Sequence, residues 1–524
     1  MKTTIKLFCG LMAIALAACT HNELPQVEPS EKPAGGRVVS VKAYTPDGQA
    51  ESRLAFDEQS GSLAMTWTEG DAFEVTINEA EVRFTYDATK EAFTATLPEG
   101  AELEDEMRAY YPAGRDGLDV QSGKLDGKAT FMQGTYSAAT NSFTFRHTTA
   151  ILKATFSGVP NNADISSVRV GIGLDAINVS AEDLELDGVY IYLPANNNTA
   201  VAQGQKMVFA AETEDGDIYT ATQTVQKAEG IEAGKFYTAD IALTKIPYVT
   251  FTAQFAGQKL KYTGTNLQYS TDAVVWTPFN GTDDVDFGAE NKLYLRGDDN
   301  SIGTCFPPFG VTYKISFSDG NNKVACTGDI RTLLDYETYD TVGTGGAMFP
   351  CLFEDCIALT SAPALPATVL NESCYQGMFA GCTSLTAAPE LPAETLTNYC
   401  YYEMFNGCTS LTAAPELPAT VLTQGCYQNM FAGCTSLTAA PELPAEILKN
   451  VCYNEMFKGC TSLSSVTMLA TDVSAGYCLD SWLDGVADSG TLYVDANNVT
   501  EFTSNKVTYG IPESWTVTAY TPQP

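Results

Sequence analysis

Read from its residues alone, the chain is a multidomain, mainly β protein. A β-sandwich comes first, a second β-rich domain follows, and a solenoid of 26-residue coils comes last. Three observations carry this expectation. At 524 residues the chain is too long for one ordinary core. Residues 37–246 alternate Val, Thr, Phe and Tyr with polar positions in short runs. Between Cys356 and Cys478 the sequence repeats every 26 residues, and a fixed period of that size marks units that bury their apolar faces by stacking.

The first segment, 1–18, is a signal peptide. Lys2 and Lys6 precede an apolar run from Leu7 to Ala18 that is too short to span a bilayer. The run ends Leu16-Ala17-Ala18-Cys19, which resembles the lipobox of bacterial lipoproteins. The resemblance implies cleavage before Cys19 and acyl chains on that residue. A secretory signal without lipid is the alternative. Residues 19–36 are polar and rich in Pro and Glu, as a tether should be. The expected location is the outer membrane, lipid-anchored and exposed at the cell surface.

Strand candidates across 37–246 include RVVSVKAY, AFEVTIN, VRFTYD, SFTFRHTTAILKATFSG, GVYIYLP and FYTADIAL. Their spacing points to a sandwich or barrel. The phrases Trp67-Thr68-Glu69-Gly70-Asp71, Ala109-Tyr110-Tyr111-Pro112 and Gly234-Lys235-Phe236-Tyr237-Thr238-Ala239 resemble the fimbrillin family of anaerobe surface proteins. That family implies a transthyretin-like β-sandwich used in fimbriae or their accessory proteins. Residues 247–345 form a second β-rich domain. Its Leu267-Gln268-Tyr269-Ser270, Trp276 and Leu295-Arg296-Gly297 match a segment that commonly precedes this type of repeat, and it is expected to cover the first coil.

The solenoid spans 346–485, with a closing cap over 486–524. Cys382–Ala393, Cys408–Ala419 and Cys434–Ala445 all read CTSLTAAPELPA. Ser384 to Ala388 should be a short strand, ended by the two prolines of Pro389-Glu390-Leu391-Pro392. Tyr401 to Asn406 should be one helical turn, stopped by Gly407. The leucines and cysteine in register resemble the BspA-like class of bacterial leucine-rich repeats. In the last coil Thr467 and Ala470 replace the prolines, as suits a terminal unit.

Fifteen cysteines are present, ten of them in two ladders of step 26. These are expected to be mostly reduced and buried, as compact packing units. Cys305 and Cys326 remain a candidate disulfide. Zinc would need close CxxC pairs or nearby histidines, and His21 and His147 are the only two histidines; no metal and no cofactor are expected. No catalytic residue is marked, because serine or cysteine catalysis needs a positioned base. Acidic clusters at 212–217, 283–286 and 298–300 are read as solvated turns rather than calcium loops.

Tyr375, Tyr401, Tyr427 and Tyr453 recur beside the second cysteine of each coil. Facing outward they would form, with Tyr402, a contact strip; facing inward they are core filler, the reading ranked first. The varying positions 394–399, 402–403 and 406 are the safer exposed face. A net charge of −35 sets the chain against nucleic acid and anionic lipid. The leading expectation is a non-enzymatic, lipid-anchored adhesin whose repeats meet an extracellular protein or glycan. A fimbrial accessory or tip subunit, joined to fimbrial partners by strand exchange, and a glycan-binding lipoprotein are the alternatives.

Overall fold

The computed structural model describes residues 37–44, 55–57, 62–64, 67–112, 120–121, 131–160, 163–180, 186–195, 199–288, 290–300, 303–306, 311–341 and 349–521. The signal peptide, the tether and Cys19 lie outside them. The protein is multidomain and mainly β, and it divides into two compact units.

The first unit is a closed barrel. Its strands run Arg37–Tyr44, Ser142–His147, Met132–Ser137, Arg108–Tyr111, Ala72–Ile77, Ala80–Asp87 and Ala92–Leu97 around the wall. Alternation drives it: Val82 and Phe84 face inward while Glu81 and Arg83 face out. The interior is aromatic, with Phe73 stacked on Phe84 at 5.0 Å and flanked by Phe93, Phe143 and Phe145. Gly134 is required here, since a Cβ would meet the Phe145 ring at 2.8 Å.

The second unit opens with two sheets over a shared core. One has the order Asp187–Pro194, Thr149–Ser157, Phe236–Ala242; the other centres on Ile165–Ile172 and Lys206–Thr213. Leu152, Val168, Val170, Ile191 and Phe209 fill the space between them. The stretch 37–246, read from sequence as one sandwich, therefore contains two sheet systems. The boundary was invisible because strand Ser142–His147 is followed at Thr149 by the next strand, with no Gly or Pro to punctuate it.

A five-stranded sheet follows, in the order Thr277–Pro278, Gln268–Ser270, Lys292–Arg296, Val249–Ala253, Val324–Thr327. It leads into the coils: Val324 bridges Leu359 and Asp329 bridges Ala364, both in parallel. Phe251, Leu260 and Val324 belong to one hydrophobic core that continues through the stack to Trp515.

Consecutive coils are tied by backbone bonds. The N–H of Tyr375, Tyr401, Tyr427 and Tyr453 donates to the carbonyl of Cys400, Cys426, Cys452 and Cys478 at 3.0–3.1 Å. Two local expectations need correction. The segment Tyr401–Asn406 is not a helical turn. Tyr399 and Glu403 are left-handed, with φ of 57° and 56°, so alternate N–H groups bond within the coil and into the next one. Nor is Ser384–Ala388 a regular strand. Its nearest ladder bond, from the Thr386 N–H to the Thr360 carbonyl, is long at 3.4 Å, and prolines at 389 and 392 remove two donors. A regular parallel ladder runs through Ser465–Met468, Thr491–Val494 and Thr516–Ala519, where the prolines have gone, and its edge pairs with the short Glu442–Leu443 strand between Pro441 and Pro444.

Candidate binding surface

Each coil sorts its residues sharply by face. Inside, Tyr375, Tyr401, Tyr427 and Tyr453 are about 1% exposed. They stack in a column, with ring centres 5.7–6.1 Å apart. Phe353, Phe379, Phe405, Phe431 and Phe457 form a second column at 5.4–5.6 Å. Trp482 closes both, 6.5 Å from Tyr453 and 6.3 Å from Phe457. The four tyrosines thus form no contact strip. An aromatic ring in register with its copies buries more area on its neighbours than it could in water. Of the candidate surface tyrosines, Tyr402 alone is half-exposed.

The cysteines are interior as well. Cys356, Cys374, Cys382, Cys400, Cys408, Cys426, Cys434, Cys452, Cys460 and Cys478 are free and buried. One ladder also makes polar contacts, because the thiols of Cys382, Cys408, Cys434 and Cys460 donate to the carbonyls of Phe353, Phe379, Phe405 and Phe431 at 3.0–3.1 Å. Burial pushes the thiols of Cys374, Cys400, Cys426 and Cys460 up to about 12. Cys326 is likewise a buried free thiol, whereas the Cys305 side chain lies outside the described residues.

Outside, Glu394, Thr395 and Asn398 are exposed, and Thr397, Tyr399, Tyr402, Glu403 and Asn406 are half-buried. Leu396, inside the range read as the exposed face, is buried, as its apolar type and its recurrence at 370, 422 and 448 require. Val369, Val421 and Ile447 form an exposed β-branched row at one edge.

A second polar feature lies outside the stack. Glu212 was read with its neighbours as part of a solvated turn, but it is 2% exposed. Its carboxylate accepts from Arg169 Nη2 at 2.9 Å, from Lys292 Nζ and from the Tyr294 hydroxyl at 3.3 Å. Arg169 also reaches the Asp272 carbonyl and Glu290. The network joins strand Lys206–Thr213 to strand Lys292–Arg296 beside a cavity of about 400 Å³. Its charges are already matched, so it serves cohesion more than ligand capture. No helix among the described residues is long and apolar enough to cross a membrane.

No protein-family model matches the chain, and no curated protein matches it. Among solved structures, one similar chain is a candidate cell adhesion protein from Bacteroides ovatus, 14% identical with a TM-score of 0.23. The match covers 40% of this chain and 96% of that one. A likeness of that size carries no argument.

Proposed function

We propose that this is a non-catalytic, lipid-anchored outer-membrane protein that attaches the cell, through its stacked coils, to a protein or glycan outside it. The 26-residue period and the leucine–cysteine register support reading the stack as BspA-like leucine-rich repeats. The Trp67–Asp71, Ala109–Pro112 and Gly234–Ala239 phrases support a fimbrillin-like, transthyretin-type origin for the domains before it. One observation carries the functional reading. The interior of the stack is filled by rings and thiols packed on their own copies, so what it can offer a ligand is its long outer surface.

The test removes residues 382–433, two whole repeat units, from the protein displayed on cells. The units on either side share the buried register Leu, Cys, Tyr, Met and Phe and should close the gap, leaving the chain folded and anchored. Attachment of cells to their partner should then fall severalfold. Undiminished attachment, or release of sugars from a polysaccharide by the intact protein, would refute the reading.

A further inference from the structure

The interior of the stack holds two columns of thiols. Cys356, Cys382, Cys408, Cys434 and Cys460 form one; Cys374, Cys400, Cys426, Cys452 and Cys478 form the other. All ten are at most 3% exposed and none is bridged. In the first column the thiol hydrogen is in use. Cys356 donates to the Ile315 carbonyl at 2.8 Å, and the next four donate to a phenylalanine carbonyl one coil back at 3.0–3.1 Å. The Phe379 carbonyl, for example, accepts from the Cys382 N–H and from the Cys408 thiol, both at 3.1 Å. A disulfide sulfur has no hydrogen to give.

Along either column the spacing is wrong for a bridge. Coils follow one another nearly by translation, since successive rings from Phe353 to Phe457 lie within 8° of parallel and 5.4–5.6 Å apart. Equivalent cysteine Cβ atoms therefore stand about one coil step apart, beyond the roughly 3.5–4.5 Å that a disulfide spans. A bridge between the columns would take a sulfur from the first column and with it a cross-coil bond. Burial adds a kinetic bar, because it shuts out oxidants and holds the thiols protonated, at about 12 for Cys400 and Cys426. None of this protects the unfolded chain. There the thiols titrate near about 8.5. Neighbours such as Cys374 and Cys382, or Cys382 and Cys400, are close enough in sequence for the loop between them to close readily.

We propose that the two columns make the stack a one-way redox switch: the coils assemble only while all ten cysteines are thiols, and the assembled coils no longer respond to disulfide oxidants. The blocking step is thiol–disulfide exchange on the unfolded chain. A cysteine thiolate attacks a small disulfide such as glutathione disulfide and expels one glutathione thiolate. A second cysteine thiolate then attacks the mixed disulfide and expels the other. The chain loses two electrons and two protons and gains one S–S bond, while glutathione disulfide becomes two glutathione thiols. The bridged chain cannot place both sulfurs in their columns, so it stays unfolded. The exported, lipid-anchored chain proposed above must then fold where no disulfide donor outruns folding. That consequence rests on the anchoring reading; the switch itself is a property of the stack and stands without it.

The test uses the full-length protein in two arms. In the first, the chain is made by cell-free synthesis with either dithiothreitol or glutathione disulfide. Folded protein is counted by its resistance to thermolysin, as a share of the chain synthesised. The share should fall severalfold with the oxidant, and peptide mapping of the sensitive fraction should find bridges among the cysteines from 356 to 478. In the second arm, protein already folded with dithiothreitol is freed of it and given the same glutathione disulfide. Its column thiols should remain, alkylated only after unfolding, with the melting midpoint unchanged. Equal shares in the two mixtures overturn the proposal. So do bridges confined to Cys305, Cys326 and Cys351, or loss of column thiols from the folded protein.

Discussion

The thiol of Cys408 donates to the carbonyl of Phe379 across 3.1 Å, from one coil into the coil before it. The same bond recurs along the stack, so the ladder fills space and also satisfies a row of buried carbonyls. Replacing Cys408 by Ala removes the donor and leaves a small void. The expected cost is about 1–3 kcal/mol, read as a lowered midpoint in thermal or urea unfolding. An unchanged midpoint would show that the bond contributes nothing.

Alkaline pH should undo the stack. Burial holds Cys400 and Cys426 up at about 12, against about 8.5 for an unfolded thiol. Stability from these groups is complete below about pH 8.5 and is lost as pH rises toward the folded value. Each contributes about 1.4 kcal/mol per pH unit in that window. Melting temperature should therefore fall steeply between roughly pH 9 and 11, and a flat profile there would contradict the burial.

The hydroxyls of Tyr375 and Tyr427 are buried without a hydrogen-bond partner among the described residues. Tyr427→Phe should thus be neutral or stabilising by up to about 1 kcal/mol. Tyr427→Ala, which breaks the ring column, should cost about 3–5 kcal/mol. A Phe variant as damaged as the Ala variant would mean that the hydroxyl is bonded in solution.

Arg169→Met leaves the buried Glu212 carboxylate with one cation instead of two. A loss of about 3 kcal/mol is expected. The double variant Arg169→Met/Glu212→Leu should recover most of it. A double variant weaker than the single would show that the pair stabilises beyond its own charges.

Cys19→Ala should release the protein from membrane fractions, because Leu16-Ala17-Ala18-Cys19 is the feature that implies lipid. Continued sedimentation of the variant with membranes would sink that expectation.

The coil period was legible because packing repeats wherever the sequence does: the apolar positions in register, Leu385, Leu391, Leu396, Cys400, Met404 and Phe405, are all buried. For the tyrosines the reading ranked first, core filler, agrees with their burial, though spacing alone left the outward strip open. A lone Tyr suits either face, and what settles it is the ring of the next coil, which spacing does not show. Leu396 keeps the apolar register yet falls inside 394–399, the range read as the exposed face, and it is buried. The pairing of Glu212 with Arg169 and Lys292 was beyond reach, since its partners lie 43 and 80 residues away. The division within 37–246 was missed for want of a turn signal between His147 and Thr149.

Trp482 terminates both ring columns, and that position has an optical consequence. Four stacked tyrosines lead toward one indole at the end of the column, so light absorbed along the stack should pass down it and emerge as tryptophan emission. Trp482 then reports the continuity of the whole column, although it sits at one end of it. Peeling away a coil near Tyr375 should dim the energy transferred while leaving emission from directly excited Trp482 unchanged.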